Sequence, residues 1–244
     1  MTCYGGFAYL YDVLMKDIPY QAWADYIGEV LKQHLGEEPQ NRIVVDLACG
    51  TGNITFPLAQ MGYDMIGVDM SPDMLAQAQA KIINEKILFL AQDMRALDLY
   101  GTVDAVVCAC DSLNYILYEA ELETVFKRIK MFLNSGGVLI FDMNTRYKYE
   151  EILGGKSFTA KTESASYVWD NDFSKETGIN KYHVAFTPKG SNPFEEIHYQ
   201  RAYPQMLIEK LLQKAGFTMI NVFDGYTNVP PGDKCPRKVY VAIP

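Results

Sequence analysis

Histidine is scarce in this sequence. His34, His183 and His198 are the three present, and no HExxH spacing occurs. No zinc or iron centre, and no other metal, is expected. Cysteine is sparse too: Cys3, Cys49, Cys108, Cys110 and Cys235 make an odd five in 244 residues. That usage fits reduced thiols in a cytoplasmic protein, not a disulfide framework. Cys108 and Cys110 alternate along an apparent strand, which puts them on one face as small buried side chains. No apolar run reaches about 18 residues, so no membrane-spanning helix is expected. The opening residues carry neither a basic nor an apolar leader pattern, so secretion is not expected. Cations are in deficit, with 22 Lys and Arg against 30 Asp and Glu and a net charge of −8. Contact with a phosphate backbone needs clustered cations, so nucleic acid is not favoured as a partner.

What is present is an ordinary globular composition, 49% hydrophobic and 21% charged. Residues 4–35 read as two helices. Phe7, Leu10, Tyr11 and Leu14 recur at helical spacing, and Pro19 marks a break. Trp23, Ile27, Val30 and Leu31 make the second stripe, which Gly36 and Pro39 stop. From residue 42, short apolar strands alternate with helices. The pattern predicts strands at 43–46, 63–69, 87–91, 103–109 and 138–142. It predicts helices from Asn53 to about Met61, from Ser71 onward, and over 119–133. Ser71, Pro72 and Asp73 combine a capping hydroxyl, a proline at the first helical position and an acid at the positive dipole end. Strands that are apolar on both faces and alternate with helices form a mainly parallel sheet covered on both sides.

The rhythm breaks at 155–203. Strands are predicted at 157–169, 180–187 and 195–203, separated by Asp170 to Asp172, Pro188 to Gly190, and Asn192-Pro193. These make an antiparallel insertion. A helix at 205–215 closed by Gly216, and strands at 217–223 and 237–243, resume the α/β pattern.

The stretch from Val44 to Asn53 carries the most chemical information. A glycine-rich turn from strand to helix lets a ligand approach the backbone at the sheet's carboxyl edge. A Walker A loop needs a Lys after its last glycine, and none follows Gly50 or Gly52. A dinucleotide loop needs a third glycine, where Thr55 stands. Asp46 at the strand end also repels a pyrophosphate. A phosphate-free cofactor with a cationic centre fits an acid there.

Asp46 to Gly52 reads D-x-x-C-G-T-G, Gly67 to Ser71 reads G-V-D-x-S, and Gln92-Asp93-Met94 follows. Together these resemble the class I S-adenosylmethionine-dependent methyltransferases. Ala215-Gly216-Phe217 before two strands is similar to the usual ending of that fold. The Phe7 to Asp12 segment, and Asp111 to Tyr115 after the fourth strand, resemble a group of small bacterial methyltransferases whose substrate is generally unassigned. The resemblance implies a Rossmann-like, doubly wound, seven-stranded sheet, mainly parallel with an antiparallel C-terminal strand, beside the antiparallel insertion. It implies one domain: a helical cover at 1–40, a core at 41–150 and 204–244, and a substrate lid at 151–203.

It also implies roles. Asp46 contacts the cofactor's methionine end, with Ala48, Gly50 and Gly52 lining the turn. Asp69 offers two carboxylate oxygens to two vicinal ribose hydroxyls. Asp93 accepts from the adenine amino group while the Met94 backbone N–H donates to the ring; capping of a turn equally describes Asp93. Met70 packs on the adenine face or in the core. Cys110 and Asp111 lie beside the methyl group. Tyr11, on a helix with Tyr4, bonds the methionine carboxylate or is a half-buried core tyrosine.

For the acceptor, Asn114, Trp169, His198 and Arg201 are candidates, and no catalytic base is named. Alternation puts His198 and Gln200 on one strand face and Tyr199 and Arg201 on the other. The Asn-Pro-Pro-Tyr signature of adenine or glutamine amino methylation is absent. The reading is a transferase that converts S-adenosylmethionine to S-adenosylhomocysteine and methylates a small molecule. An RNA or protein acceptor, a cofactor-binding module without turnover, and an NAD-dependent oxidoreductase are the alternatives.

Overall fold

A computed structural model describes residues 8–161, 165–190 and 192–244. In chain order the helices are α1 (Ala8–Leu14), α2 (Tyr20–Leu35), α3 (Thr55–Gln60), α4 (Pro72–Ala80), α5 (Glu119–Phe132) and α6 (Gln205–Ala215). The strands β1 (Ile43–Leu47), β2 (Asp64–Asp69), β3 (Ile87–Ala91), β4 (Val103–Cys108) and β5 (Leu133–Asn144) belong to one sheet, as do β10 (Met219–Asp224) and β11 (Arg237–Ile243). The others, β6 (Ser157–Lys161), β7 (Ala165–Phe173), β8 (Ile179–Pro188) and β9 (Phe194–Arg201), form a separate antiparallel meander.

The seven strands run in the order β10-β11-β5-β4-β1-β2-β3. β1 pairs in parallel with β2 and β4, β2 with β3, and β4 with β5. β11 alone is reversed, antiparallel to both β5 and β10. Period-two alternation splits the buried residues between two layers. Val44, Met65, Ala105, Ile140 and Val239 pack with Ala24, Ile27 and Leu31 of α2. Val45, Val68, Val106, Leu139 and Phe141 pack with Phe126 and Ile129 of α5 and Ile208 and Leu212 of α6. Each such buried Val, Leu, Ile, Phe or Met side chain contributes roughly 1.5–3 kcal/mol of transfer free energy. Among the described residues no helix is long and apolar enough to cross a membrane.

Several local expectations shift. Tyr4 and Phe7 lie outside the described residues. α3 begins at Thr55, because the Asn53 side chain is held elsewhere: its Nδ2 donates to Asp12 and its Oδ1 accepts from Lys81. The Ser71 cap forms, accepting from the Met74 N–H at 3.3 Å. β5 starts at Leu133 and not at Val138, with a register shift against β4. A side chain on Gly137 would meet the Asp104 carbonyl at 2.9 Å, so glycine lets the strand continue there. The single strand at 157–169 is instead the pair β6 and β7; residues 162–164 between them lie outside the described residues. Asp170 to Asp172 do not turn the chain. They extend β7, where Asp170 faces His183 and Asp172 faces Lys181 across the ladder. Cys108 and Cys110 share no face: Cys108 packs in the layer of α5 and α6, whereas Cys110 lies past β4 and packs on the other layer.

Candidate functional site

β1 and β4 are adjacent although β2 and β3 lie between them in sequence, so the chain departs from this point in opposite directions. Ligands of such sheets bind outside the strand ends there. A cavity of about 730 Å³ opens at that place, walled by the ends of β1 to β5, by α1 and by β7, β8 and β9. Twelve predicted residues lie on its wall: Tyr11, Asp46, Ala48, Gly50, Asp69, Met70, Asp93, Met94, Cys110, Asp111, Trp169 and His198. Three predicted residues do not, namely Gly52, Asn114 and Arg201.

The half under β1, β2 and β3 is built from the turns that follow those strands, with α1 tied over them. Asp46 is buried and accepts a 2.5 Å bond from the Thr55 hydroxyl. Burial pushes its carboxyl up to about 7; the Thr55 bond opposes this and the charge of Asp69 adds to it. Ala48 and Gly50 hold left-handed backbone, φ 60° and 54°. Such conformation at a non-glycine residue is stored strain. Gly52 also has positive φ, but its task is the turn itself. Its N–H donates to the Cys49 carbonyl at 2.9 Å, and a side chain there would strike the Phe56 ring at 2.7 Å.

Asp69 holds the loop from below. Its two oxygens accept from the Gly50 and Ser71 N–H groups, each at 2.8 Å, and burial raises its pKa. Each carboxylate oxygen retains a further acceptor site. Met70 is 60% exposed on the wall, which excludes the core alternative. Asp93 does not end β3; it stands two residues beyond it, caps the turn at Met94 to Ala96, and takes the Arg95 guanidinium on both oxygens. That bonding holds its carboxyl below the usual carboxylate range. α1 is pinned over this half by Asp12, which accepts from Thr51 Oγ1 at 2.6 Å and Asn53 Nδ2 at 2.9 Å and pairs with Lys81 at 2.5 Å. Tyr11 faces the cavity, 3.4 Å from the Tyr20 hydroxyl.

The half under β4 and β5 is built from long-range contacts. Cys110 and Asp111 are consecutive left-handed residues, φ 61° and 52°. Asp142, at 1% exposure, clamps both: its carboxylate accepts from their N–H groups at 3.0 and 2.5 Å, from Arg237 Nη1 at 2.6 Å, and from the Tyr226 hydroxyl. Arg237 Nη2 reaches Asp111 at 2.6 Å, and its guanidinium lies over Trp23, 4.9 Å from the ring centroid. Gln200 of β9 donates to the other Asp111 oxygen at 2.7 Å and accepts from Tyr149 at 2.9 Å.

His198 and Gln200 do share the buried, cavity-facing side of β9, while Tyr199 is exposed. Tyr115 meets the His198 ring edge-on at 5.9 Å. Trp169 packs against Phe158 and Tyr182. Asn114 proves to be a fully buried clip. It donates to the carbonyls of Asn144 (3.1 Å) and Arg201 (2.8 Å) and accepts from the Asn144 N–H (2.9 Å). Arg201 turns away, donating to the Leu117 carbonyl and Glu119 and lying over Tyr203. Both therefore dock the second sheet, and neither lines this cavity. Sequence reasoning missed Asp142, Arg237, Tyr226 and Lys148 as site residues, whereas alternation alone pairs Gln200 with His198. The one available signal was an acid, Asp142, ending an apolar strand that is otherwise buried.

The donor set suits a phosphate-free cationic cofactor. Under β1 to β3 the wall offers the carboxylates of Asp46 and Asp69, and its one cation among the described residues, Arg95, is already paired with Asp93 and Glu121. A pyrophosphate would find buried like charge there. The comparisons agree. Residues 44–137 match the family described as methyltransferase domain. The chain is 35% identical to a Geobacillus sp. (strain WCH70) protein named as a methyltransferase, over 98% of each chain. It is 27% identical to a glycine/sarcosine N-methyltransferase of Parasynechococcus marenigrum (strain WH8102), over 84% of this chain and 72% of that one. A solved S-adenosylmethionine-dependent methyltransferase from Clostridium acetobutylicum ATCC 824 is 31% identical, covers 99% of both chains and superposes with a TM-score of 0.86. With this fold, this cavity and these relatives, the chain belongs to the S-adenosylmethionine-dependent methyltransferases.

Proposed function

We propose that the acceptor is a small molecule, held between the ends of β4 and β5 and the β6–β9 sheet. The carrying observation is the docking of the second sheet beside the reacting end. Gln200 bonds Asp111, and Asn114 ties β9 to the end of β5, so β7, β8 and β9 wall one side of a cavity of about 730 Å³ that cofactor and acceptor would share. Cavities of roughly 300–1,000 Å³ take drug-sized ligands. A macromolecular acceptor needs an open face over the reacting atom. The glycine/sarcosine N-methyltransferase relative supports the same class. In this reading residues 151–203 are the lid, 1–40 the cover, and the rest one core.

When bound, S-adenosylmethionine supplies a methyl group on a positively charged sulfur. The protein supplies position and field. Asp46, ionised, faces the amino group of the methionine end, with the turn at Ala48 and Gly50 beneath it and Tyr11 above. Asp69 accepts from ribose hydroxyls. Met70 and Met94 flank the adenine, and Asp93 shares its oxygens between Arg95 and the adenine amino group. Cys110 and Asp111, fixed by Asp142, border the reacting atoms. Trp169 and His198 line the acceptor side. Fixed orientation alone is worth roughly 7–11 kcal/mol in well-aligned reactions.

The test is to incubate methyl-labelled cofactor and enzyme with size-separated extract fractions. Label is expected in the small-molecule fraction. Label confined to RNA or protein overturns this reading.

A further inference from the structure

Among the described residues, three Lys and Arg side chains line the cavity: Arg95, Lys148 and Arg237. Arg95 pairs with Asp93 and Glu121, and Arg237 with Asp111 and Asp142. Lys148 forms no ion pair with any carboxylate among the described residues. Its Nζ donates to a neutral oxygen, Asn144 Oδ1, at 2.9 Å. An ammonium carries three donors, so two remain for a ligand.

We propose that Lys148 recognises an anionic oxygen group, a carboxylate or a phosphate, carried by the acceptor. The inference rests on the small-molecule reading above and narrows its substrate class.

Placement supports it. Lys148 follows β5, and β5 is separated from β1 by β4, so this side chain stands away from the loops after β2 and β3. It belongs to the acceptor half. The acids nearest to it are already spoken for. Asp111 accepts from Arg237 and Gln200, and Asp142 accepts from Arg237, Tyr226 and two backbone N–H groups. Burial lowers the pKa of Lys148, and Arg237 works in the same direction, while the Asp111 and Asp142 charges favour its ammonium form. A partly buried cation with no counterion of its own is costly, and a ligand that supplies the counterion recovers that cost. A charged anchor also fixes the acceptor's orientation, which is what transfer at carbon requires.

The protein's two tryptophans, Trp23 and Trp169, both line the cavity, so intrinsic fluorescence reports on it directly. The experiment titrates acetate and inorganic phosphate into the S-adenosylhomocysteine complex at constant ionic strength, with chloride as the reference anion. A saturable change is expected with one or both oxyanions and not with chloride. Acetate alone points to a carboxylate-bearing acceptor, phosphate alone to a phosphate ester. Lys148→Gln is expected to weaken the response about tenfold or more, and Lys148→Arg to keep it within a few-fold.

No saturable response in the wild type overturns the anion site. So does an unchanged constant in Lys148→Gln. The wild-type titration decides alone should that variant fail to fold. Calorimetry with S-adenosylhomocysteine separates the failures. Cofactor binding without oxyanion binding removes the anion site only, whereas absent cofactor binding removes the site reading and this inference together.

Discussion

Under β1 to β3, each acid of the cavity is held by partners no more than 19 positions away: Asp46 by Thr55 at 9, Asp69 by Gly50 at 19 and Ser71 at 2, Asp93 by Arg95 at 2. Under β4 and β5 the partners come from far along the chain. Arg237 reaches Asp111 across 126 positions, Gln200 reaches it across 89, and Asn114 reaches Arg201 across 87. The electrostatics differ in the same way. Burial raises the Asp46 and Asp69 pKa values, and neither forms an ion pair with a cation among the described residues. Asp111 and Asp142 share Arg237 instead. The first half is thus poised for a cationic ligand, and the second is a balanced cluster that holds two sheets and a strained turn together. Damage to the second half should appear as lost stability, and damage to the first as lost binding.

The largest effect should come from Arg237→Met. It leaves the buried Asp142 and the part-buried Asp111 without their shared cation, and removing one partner of a buried pair costs about 3–5 kcal/mol. Urea unfolding is the measurement. A loss below about 1 kcal/mol would mean the cluster holds nothing together. Asn114→Ala sits in the same half but breaks only neutral bonds. It strands the Asn144 N–H and the Arg201 carbonyl, for an expected loss of about 1–3 kcal/mol.

Asp69→Ala probes the other half. S-adenosylhomocysteine binding should weaken by roughly 1–3 kcal/mol, the cost of removing a buried hydrogen-bonded acceptor. Calorimetry reads this directly. Unchanged affinity would break the comparison, because Asp69 would then serve only the Gly50 and Ser71 N–H groups.

The same contrast decides what could be read beforehand. The loop from Asp46 to Gly52, the cap at Ser71 and the acids at 69 and 93 are legible because their partners lie in the same turn or, for Asp69 and Gly50, 19 positions away in the preceding one. Periodicity and the α/β rhythm give the elements and a mainly parallel sheet, whereas the seven-stranded arrangement with its reversed last strand is what the family resemblance implies. Asn114 and Arg201 were placed in the acceptor site because polar residues after a strand and on an insertion face resemble ligand contacts. Their partners, the Asn144 and Leu117 backbones and Glu119, exist only after the two sheets dock. Asp142 and Arg237 escaped notice because each looks like a strand terminus until β11 is laid against β5. Asp170 to Asp172 mimic a turn by composition, yet cross-strand Lys181 and His183 keep them extended.

Asp46 gives the smallest and most selective test. Its carboxyl stands at about 7 in the folded chain against 3.8 in an unperturbed one. Between those values the folded state binds more protons than the unfolded state, so this group's contribution to stability falls as pH rises through that window. Asp46→Asn should flatten that slope. A bound amino group favours the ionised acid. At about pH 6, therefore, S-adenosylhomocysteine binding should expel up to about one proton, and its affinity should rise by at most about tenfold per pH unit before levelling above 7. Calorimetry in two buffers of different ionisation enthalpy measures the released proton. Equal enthalpies at that pH would place the cationic end of the ligand elsewhere. Thr55→Val sharpens the point: losing the hydroxyl that favours the ionised form should move the levelling-off to higher pH, whereas a purely structural role for Thr55 would lower stability and leave the midpoint where it was.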